Sequence, residues 1–278
     1  MSTTLFSTPL LYLSAIMYLC GMTGYFAYLF KQKETMQKAG FALICIGLAL
    51  HFAALCMETF ELGSLPVTNL QQNLSFAAFA LAGVFVFLQD RLNLRILGVF
   101  TSPLIVLAMT AALIVPKTEP VHNTVLKGFW LIAHIVLIFA GEAALAIACG
   151  AGILYLIQEK AIKNKKRGFF YKRLPSLDLL DSTSYSCIVV GFTLLTFGLI
   201  TGLVYAKYIW GQFWSWDPKE IWSAGTWLIY AALLHGRLTS GWRGKRSALF
   251  TIIGFAVILF TFFGVNFLIG GHHQGFTK

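Results

Sequence analysis

WGQFWSWDPKE, Trp210–Glu220, is the stretch on which the reading of this chain turns. It holds Trp210, Trp214 and Trp216, and Trp222 follows closely. Side chains this large and flat are wasteful in a helix and odd in a plain loop. They make sense where a segment offers a broad aromatic surface to something large, flat and apolar. The end of the stretch reads as a helix start. Asp217 can cap, Pro218 suits the first helical position, and Glu220 stands three residues after the cap. The plainer alternative is a belt of tryptophans at a membrane surface, but three within one short polar segment are denser than a belt requires. Asp217 reads as a helix cap before it reads as a catalytic acid.

Working outward, an apolar run at about 183–206 leads into the segment and another, about 218–236, leaves it. The whole chain follows this pattern. Its 278 residues are 58% hydrophobic and 12% charged, with a mean hydropathy of +0.74. Those values exclude a soluble domain and fit a polytopic membrane protein. Further apolar runs lie at about 9–30, 39–60, 70–89, 96–115, 127–158 and 247–269. The expected fold is an all-α membrane bundle of about eight transmembrane helices with both termini external. The first run lacks a basic leader and a cleavage site, so it reads as an uncleaved span. The run at 127–158 would extend roughly 48 Å against a hydrocarbon core of about 30 Å. It must tilt, protrude or bend, with Gly150 and Gly152 as weak points. No internal repeat or linker stands out, so residues 1–278 read as one integral membrane domain with an external tryptophan segment, 207–220.

The net charge of +10 invites a nucleic-acid reading, but the placement of the charges removes it. Loops after the first, third, fifth and seventh runs carry most of the lysines and arginines. The other side holds only Lys117, Lys127, Lys207, Lys219 and Lys278. By the positive-inside rule the basic loops are cytoplasmic, and the tryptophan segment is external. The charge is a topology signal with some attraction to anionic lipid, and no nucleic-acid partner is expected. Cys20, Cys45, Cys56, Cys149 and Cys187 all fall in apolar stretches without a CxxC spacing, so they read as small core residues.

This topology sorts the histidines. His134 lies near the outer end of the fifth span, and His272 and His273 lie just beyond the eighth. All three fall on the tryptophan side. His235 is near the inner end of the seventh span. His51 reads first as a satisfied core residue and His122 as an ordinary loop residue. Glu142 is an acid inside the membrane and a functional candidate by default. Imidazoles flanking a flat aromatic surface suit haem, which is large, flat and apolar and takes histidine as an axial ligand. Lys207 or Lys219 could meet a propionate.

The same residues resemble a known family. WGQFWSWDPKE is similar to the tryptophan-rich WWD signature of haem-handling proteins of cytochrome c maturation. IWSAGTWLIYAALLHGR, GFWLIAH and VNFLIGGHH extend the likeness. Eight spans favour CcsA, also called ResC, the haem-handling component of the system II cytochrome c synthase. CcmC usually has six spans, and CcmF is much longer. The resemblance implies that haem b enters a site within the membrane, for which His235 matches a ligand. It then passes to an external site built on Trp210, Gly211, Trp214, Trp216, Asp217 and Trp222. There His134 and a tail histidine ligate the iron. Aligning GGHHQGF with the family's GLHSYG puts His273 on the ligand position, with His272 as the alternative.

The resemblance also implies apocytochrome c as partner, bringing a reduced CxxCH motif whose thiols add to the haem vinyl groups. A CcsB-type membrane partner supplies a further histidine and an external domain. The chain would then belong to a holocytochrome c synthase, or haem lyase, complex in the lipid bilayer. The expected location is the bacterial inner membrane, with a thylakoid membrane also open. A haem exporter without ligation activity would share every feature above. A b-type electron-transfer protein would instead pair histidines at matching depth on facing helices.

Overall fold

The computed structural model describes residues 4–92, 95–116, 128–165, 168, 169 and 171–269, and every regular element among them is helical. In order these are α1 (Thr4–Lys31), α2 (Glu34–Leu62), α3 (Leu70–Leu92), α4 (Leu97–Ile114), α5 (Phe129–Lys163), α6 (Leu177–Trp210), α7 (Pro218–Thr239) and α8 (Lys245–Leu259). A π-helical segment, Phe260–Ile269, continues α8. Seven of the described helices are long and apolar enough to cross a membrane. The exception among the eight is α7, whose 22 residues include Lys219 and Glu220 at one end and His235 and Arg237 at the other. Large apolar side chains such as Phe60, Ile114 and Leu228 are exposed on the helices, as expected where lipid is the solvent.

The described residues fall into two compact units, one up to Ile132 and one from Ala133 onward. In the first, α1 and α2 approach through glycines. A Cβ on Gly24 would stand 2.7 Å from Gly40 Cα, so any larger residue would push the helices apart. Tyr18 and Tyr25 fill the core. Tyr25 lies over Gly98 of α4, edge-on to Phe85, and donates to the Gln89 side chain. His51 is wholly buried, and both its ring nitrogens are engaged, Nδ1 with Tyr18 Oη at 3.3 Å and Nε2 with Ser75 Oγ at 2.9 Å. The expectation of a satisfied core histidine holds. A hydrocarbon setting leaves no water to serve an unmet nitrogen.

The polar run before α3 is buried as well, and it folds onto itself. The Thr68 backbone and hydroxyl both donate to Gln72 Oε1, and Gln72 N donates to Asn69 Oδ1.

In the second unit α5 and α6 pack closely along a line of glycines. A Cβ on Gly141 would meet Leu195 N at 2.9 Å, and one on Gly191 would meet the Leu145 side chain at 2.7 Å. Both helices outrun their apolar cores, α5 with 35 residues and α6 with 34. The extra turns of α5 reach into the basic region, where lysine remains a good helix former and Lys163 pairs with Glu159 one turn back. The helix runs unbroken through Gly150 and Gly152. Gly152 instead makes room for Ala248 of α8.

Far from the tryptophan segment, α6, α7 and α8 are tied by an ion pair. Arg237 holds Asp181 through both nitrogens, at 3.1 and 2.6 Å, and stacks over Tyr185. Gly244 N adds a bond to Asp181, and Ser247 Oγ accepts from Arg237. The described cysteines are free, with Cys149 and Cys187 buried.

Candidate functional site

The site is built where α6 stops. Gly211 takes a left-handed conformation (φ 75°), and its N–H closes on Lys207 O at 3.1 Å. Lys207 reaches forward to donate to Gly211 O at 2.7 Å, with its ammonium above the Phe213 ring. A cation thus meets carbonyls at the negative end of the helix.

The chain restarts at Pro218 as the sequence predicts. Asp217, 3% exposed, accepts from Lys219 N at 2.9 Å and completes a reciprocal capping box with Glu220. Glu220 does more than cap. Its carboxylate accepts from Ser215 N at 2.8 Å and Ser215 Oγ at 3.0 Å as well as from Asp217 N. Both acids are therefore committed to holding the turn, and neither stands out as a free catalytic carboxylate.

This tight turn sets the tryptophans. Trp216 lies between Ser215 and Asp217, both hydrogen-bonded to Glu220, and it adopts φ 60°. That conformation strains any residue with a Cβ, and a bulky one most. The ring is thrown outward, 75% exposed, and Trp214 meets it edge-on at 5.9 Å with an interplanar angle of 88°. The two indoles make a corner rather than one flat plane. Trp210, Phe213 and Trp222 are also exposed, and Trp222 is braced edge-on by Phe260, the first residue of the π-helical segment, at 4.6 Å.

His134 lies on the part of α5 that faces the last third of α6. Its Nδ1 is 2.7 Å from Gly198 O, and its ring rests where Gly202 has no side chain. Gly202 is eight residues before Trp210, about 12 Å along the helix. His134 therefore belongs to the tryptophan half of this unit. His235 does not. It is exposed on α7, thirteen residues beyond Trp222, or roughly 20 Å along that helix, and two residues from the Arg237 ion pair. The structure separates these two histidines rather than pairing them. His272 and His273 lie outside the described residues, as does His122.

Some contacts had no reading in the sequence. Glu142, two turns along α5 from His134, is near enough to Lys219 in the first turn of α7 for their charges to be felt, without a direct ion pair between them. One signal was available: a lysine in a helix's first turn opposes the helix dipole and asks for a carboxylate nearby. Trp227 Nε1 donates to Thr196 Oγ1 at 2.9 Å and its ring packs on Phe192, fixing α7 against α6 below the site. Among the described residues no cluster of three or more histidines, cysteines and acids could hold a metal ion by itself.

These features define a polytopic helical membrane protein with a capped aromatic turn and an anchored imidazole on the same half of one helical unit. The model of the "Cytochrome C assembly protein" family matches residues 67–273. The chain belongs to this family, and to the CcsA proteins within it. It is 33% identical to cytochrome c biogenesis protein CcsA of Chlorella vulgaris, covering 84% of this chain and 86% of the relative. It is 31% identical to CcsA of Synechococcus elongatus, covering 92% of each. Among solved structures, cytochrome c heme lyase CcmF has the same fold, with a TM-score of 0.71 at 17% identity over 99% of this chain. This chain spans about half of that one, 49%, in keeping with the greater length expected of CcmF. As a member of the family the protein takes part in cytochrome c assembly.

Proposed function

We propose that the protein carries haem b through the membrane and presents it at the Trp210–Trp222 segment for thioether attachment to the CxxCH motif of apocytochrome c. It would act with a CcsB-type membrane partner, as part of a haem lyase complex. The observation that carries this reading is the pairing of the exposed aromatic turn with His134, anchored through one nitrogen on the same half of α6. The residues fit such a cargo. Trp210, Trp216 and Trp222 offer apolar ring surface to a macrocycle. Trp214 braces Trp216, Gly211 lets the chain leave α6, and Asp217 with Glu220 keeps the turn closed.

In this reading His134 supplies one axial nitrogen and a tail histidine the other, His273 before His272. His235, at the far end of α7, serves loading from the other side of the membrane. Lys207, exposed at the end of α6, and Lys219, in the first turn of α7, are the cations for a propionate. The chain's own contribution is to hold and orient. Bound between two imidazoles and against indoles, the porphyrin edge is fixed in register with two incoming thiols. Each thiol adds across one vinyl group, its sulfur to one carbon and its hydrogen to the other, without net oxidation. The separation of His134 from His235 argues against a b-type electron-transfer protein, which would set its histidines at matching depth.

By the distribution of lysine and arginine, the tryptophan segment faces away from the cytoplasm, and residues 1–278 act as one assembly domain. The membrane is the bacterial inner membrane or, given relatives in algae and cyanobacteria, a thylakoid membrane. The test is co-expression with the partner and a CxxCH reporter in cells lacking their own assembly system. Covalent haem on the reporter is expected, and its loss when Trp210 and Trp216 are both changed to Ala. Haem bound to the complex with none attached to the reporter would make the protein an exporter. A complex purified without a Soret band would end the haem reading.

A further inference from the structure

The seat of His134 carries information beyond the presence of a histidine. Its Nδ1 is 2.7 Å from the Gly198 carbonyl oxygen, which can only accept a hydrogen bond. The ring nitrogen facing it must therefore carry the proton, and the neutral imidazole is left with a lone pair on Nε2 alone. The geometry depends on two missing side chains. A Cβ on Gly198 would stand 2.8 Å from Ile138 Cδ1 and 3.1 Å from Ile138 N, so glycine there is what lets α5 close on α6 until the carbonyl is in reach. A Cβ on Gly202 would stand 2.6 Å from Nδ1 and 2.7 Å from Cε1 of the ring itself. The imidazole occupies the space that alanine would fill. Thr201 Oγ1 also donates to Gly198 O at 2.9 Å, so the same oxygen is held from its own helix.

We propose that Gly198 and Gly202 are positioning residues that fix His134 as the Nδ1–H tautomer and aim Nε2 as the sole ligating nitrogen. The inference rests on the functional reading above for what Nε2 binds, but not for the tautomer. A donor bond from the distal ring nitrogen makes the other a stronger ligand and locks the plane of the ring. The seat is a backbone device: the acceptor is a main-chain carbonyl, so no side-chain substitution can remove it, and only a change that moves the ring can.

Two measurements test this. The first needs no haem. Nitrogen-15 spectra of histidine-labelled, haem-free protein, with His134 assigned by comparison with His134→Ala, should show a protonated Nδ1 and a bare Nε2. The opposite tautomer overturns the proposal. The second uses Gly202→Ala in the haem-loaded complex with its partner. Alanine is a better helix former than glycine, so the helix itself is not weakened. The variant is expected to convert at least half of the bound haem from the low-spin, two-imidazole spectrum to a mixed-spin one. Added imidazole should restore it, as it should for His134→Ala. If His134→Ala alters the spectrum and Gly202→Ala does not, the seat is overturned while the haem reading stands. If His134→Ala leaves the spectrum unchanged, the ligand role falls with it.

Discussion

His51 and His134 look alike in the sequence: each stands in a long apolar helix with no charged neighbour close by. The two units of the molecule treat them differently. In the first unit His51 is wholly buried and uses both nitrogens, on Tyr18 and Ser75. In the second, His134 is half-buried and, among the described residues, uses one, on a backbone carbonyl. His51 is closed to a further partner, whereas Nε2 of His134 bonds no other described residue. The number of ring nitrogens held by the protein and the degree of burial separate the two, where helix position does not.

The largest expected effect comes from opening a closed group on purpose. Asp181 and Arg237 belong to the second unit, yet they resemble His51 in having every contact made at home. Asp181→Ala leaves a nearly buried guanidinium unpaired, and a loss of about 3–5 kcal/mol is expected. Thermal unfolding of purified protein should fall sharply, with the reporter haem per folded molecule little changed. A stable Asp181→Ala protein that fails to load haem would instead give this pair a part in function.

Next comes His134→Ala. If the open nitrogen is the ligand, covalent haem on the CxxCH reporter should fall about 100-fold, equivalent to roughly 2.7 kcal/mol, with thermal stability nearly kept. Unchanged attachment would erase the distinction drawn between the two histidines. His51→Ala should do the reverse. It leaves the Tyr18 hydroxyl and Ser75 hydroxyl without their partner, and about 2 kcal/mol of stability should go. Attachment per folded molecule should stay within about twofold. A specific loss of attachment would mean that His51 is not merely structural.

The difference between these histidines could not be read from the chain because it lies in partners far away in sequence. Ser75 is 24 residues from His51, and Gly198 is 64 from His134. What was legible is what local rules govern. Long apolar runs announced the helices. Asp217, Pro218 and Glu220 placed the start of α7 to the residue, because a capping box is written within four positions. The aromatic turn was legible as a break before a capped helix but not in shape: nothing local says that Trp214 and Trp216 stand perpendicular, or that Phe260 braces Trp222. The ends of α5 and α6 were underestimated because apolar content marks the membrane, and helices continue past it. The ten-residue π-helical stretch after α8 had no sequence signal at all.

The smallest predicted effect concerns Trp216, where structure and function pull in opposite directions. Its φ of 60° is a conformation that costs an ordinary residue about 1–2 kcal/mol. A turn selected for stability alone would put glycine or asparagine there. The Glu220 bonds to Ser215 and Asp217 on either side hold the strained residue in place, and the result is an indole pushed into the open. Trp216→Gly and Trp216→Ala both remove the ring, but only glycine removes the strain. The glycine variant should be more stable than the alanine variant by about 1 kcal/mol, a rise of a few degrees in unfolding temperature. Both should attach haem less well than the parent, and to the same extent. If glycine and alanine are equally stable, the turn is not strained and the exposure of Trp216 is incidental. If attachment tracks stability instead of the ring, Trp216 shapes the turn and touches nothing. A more stable protein that works less well would place Trp216 beside His134, as a residue whose unfavourable state is kept for what it leaves open.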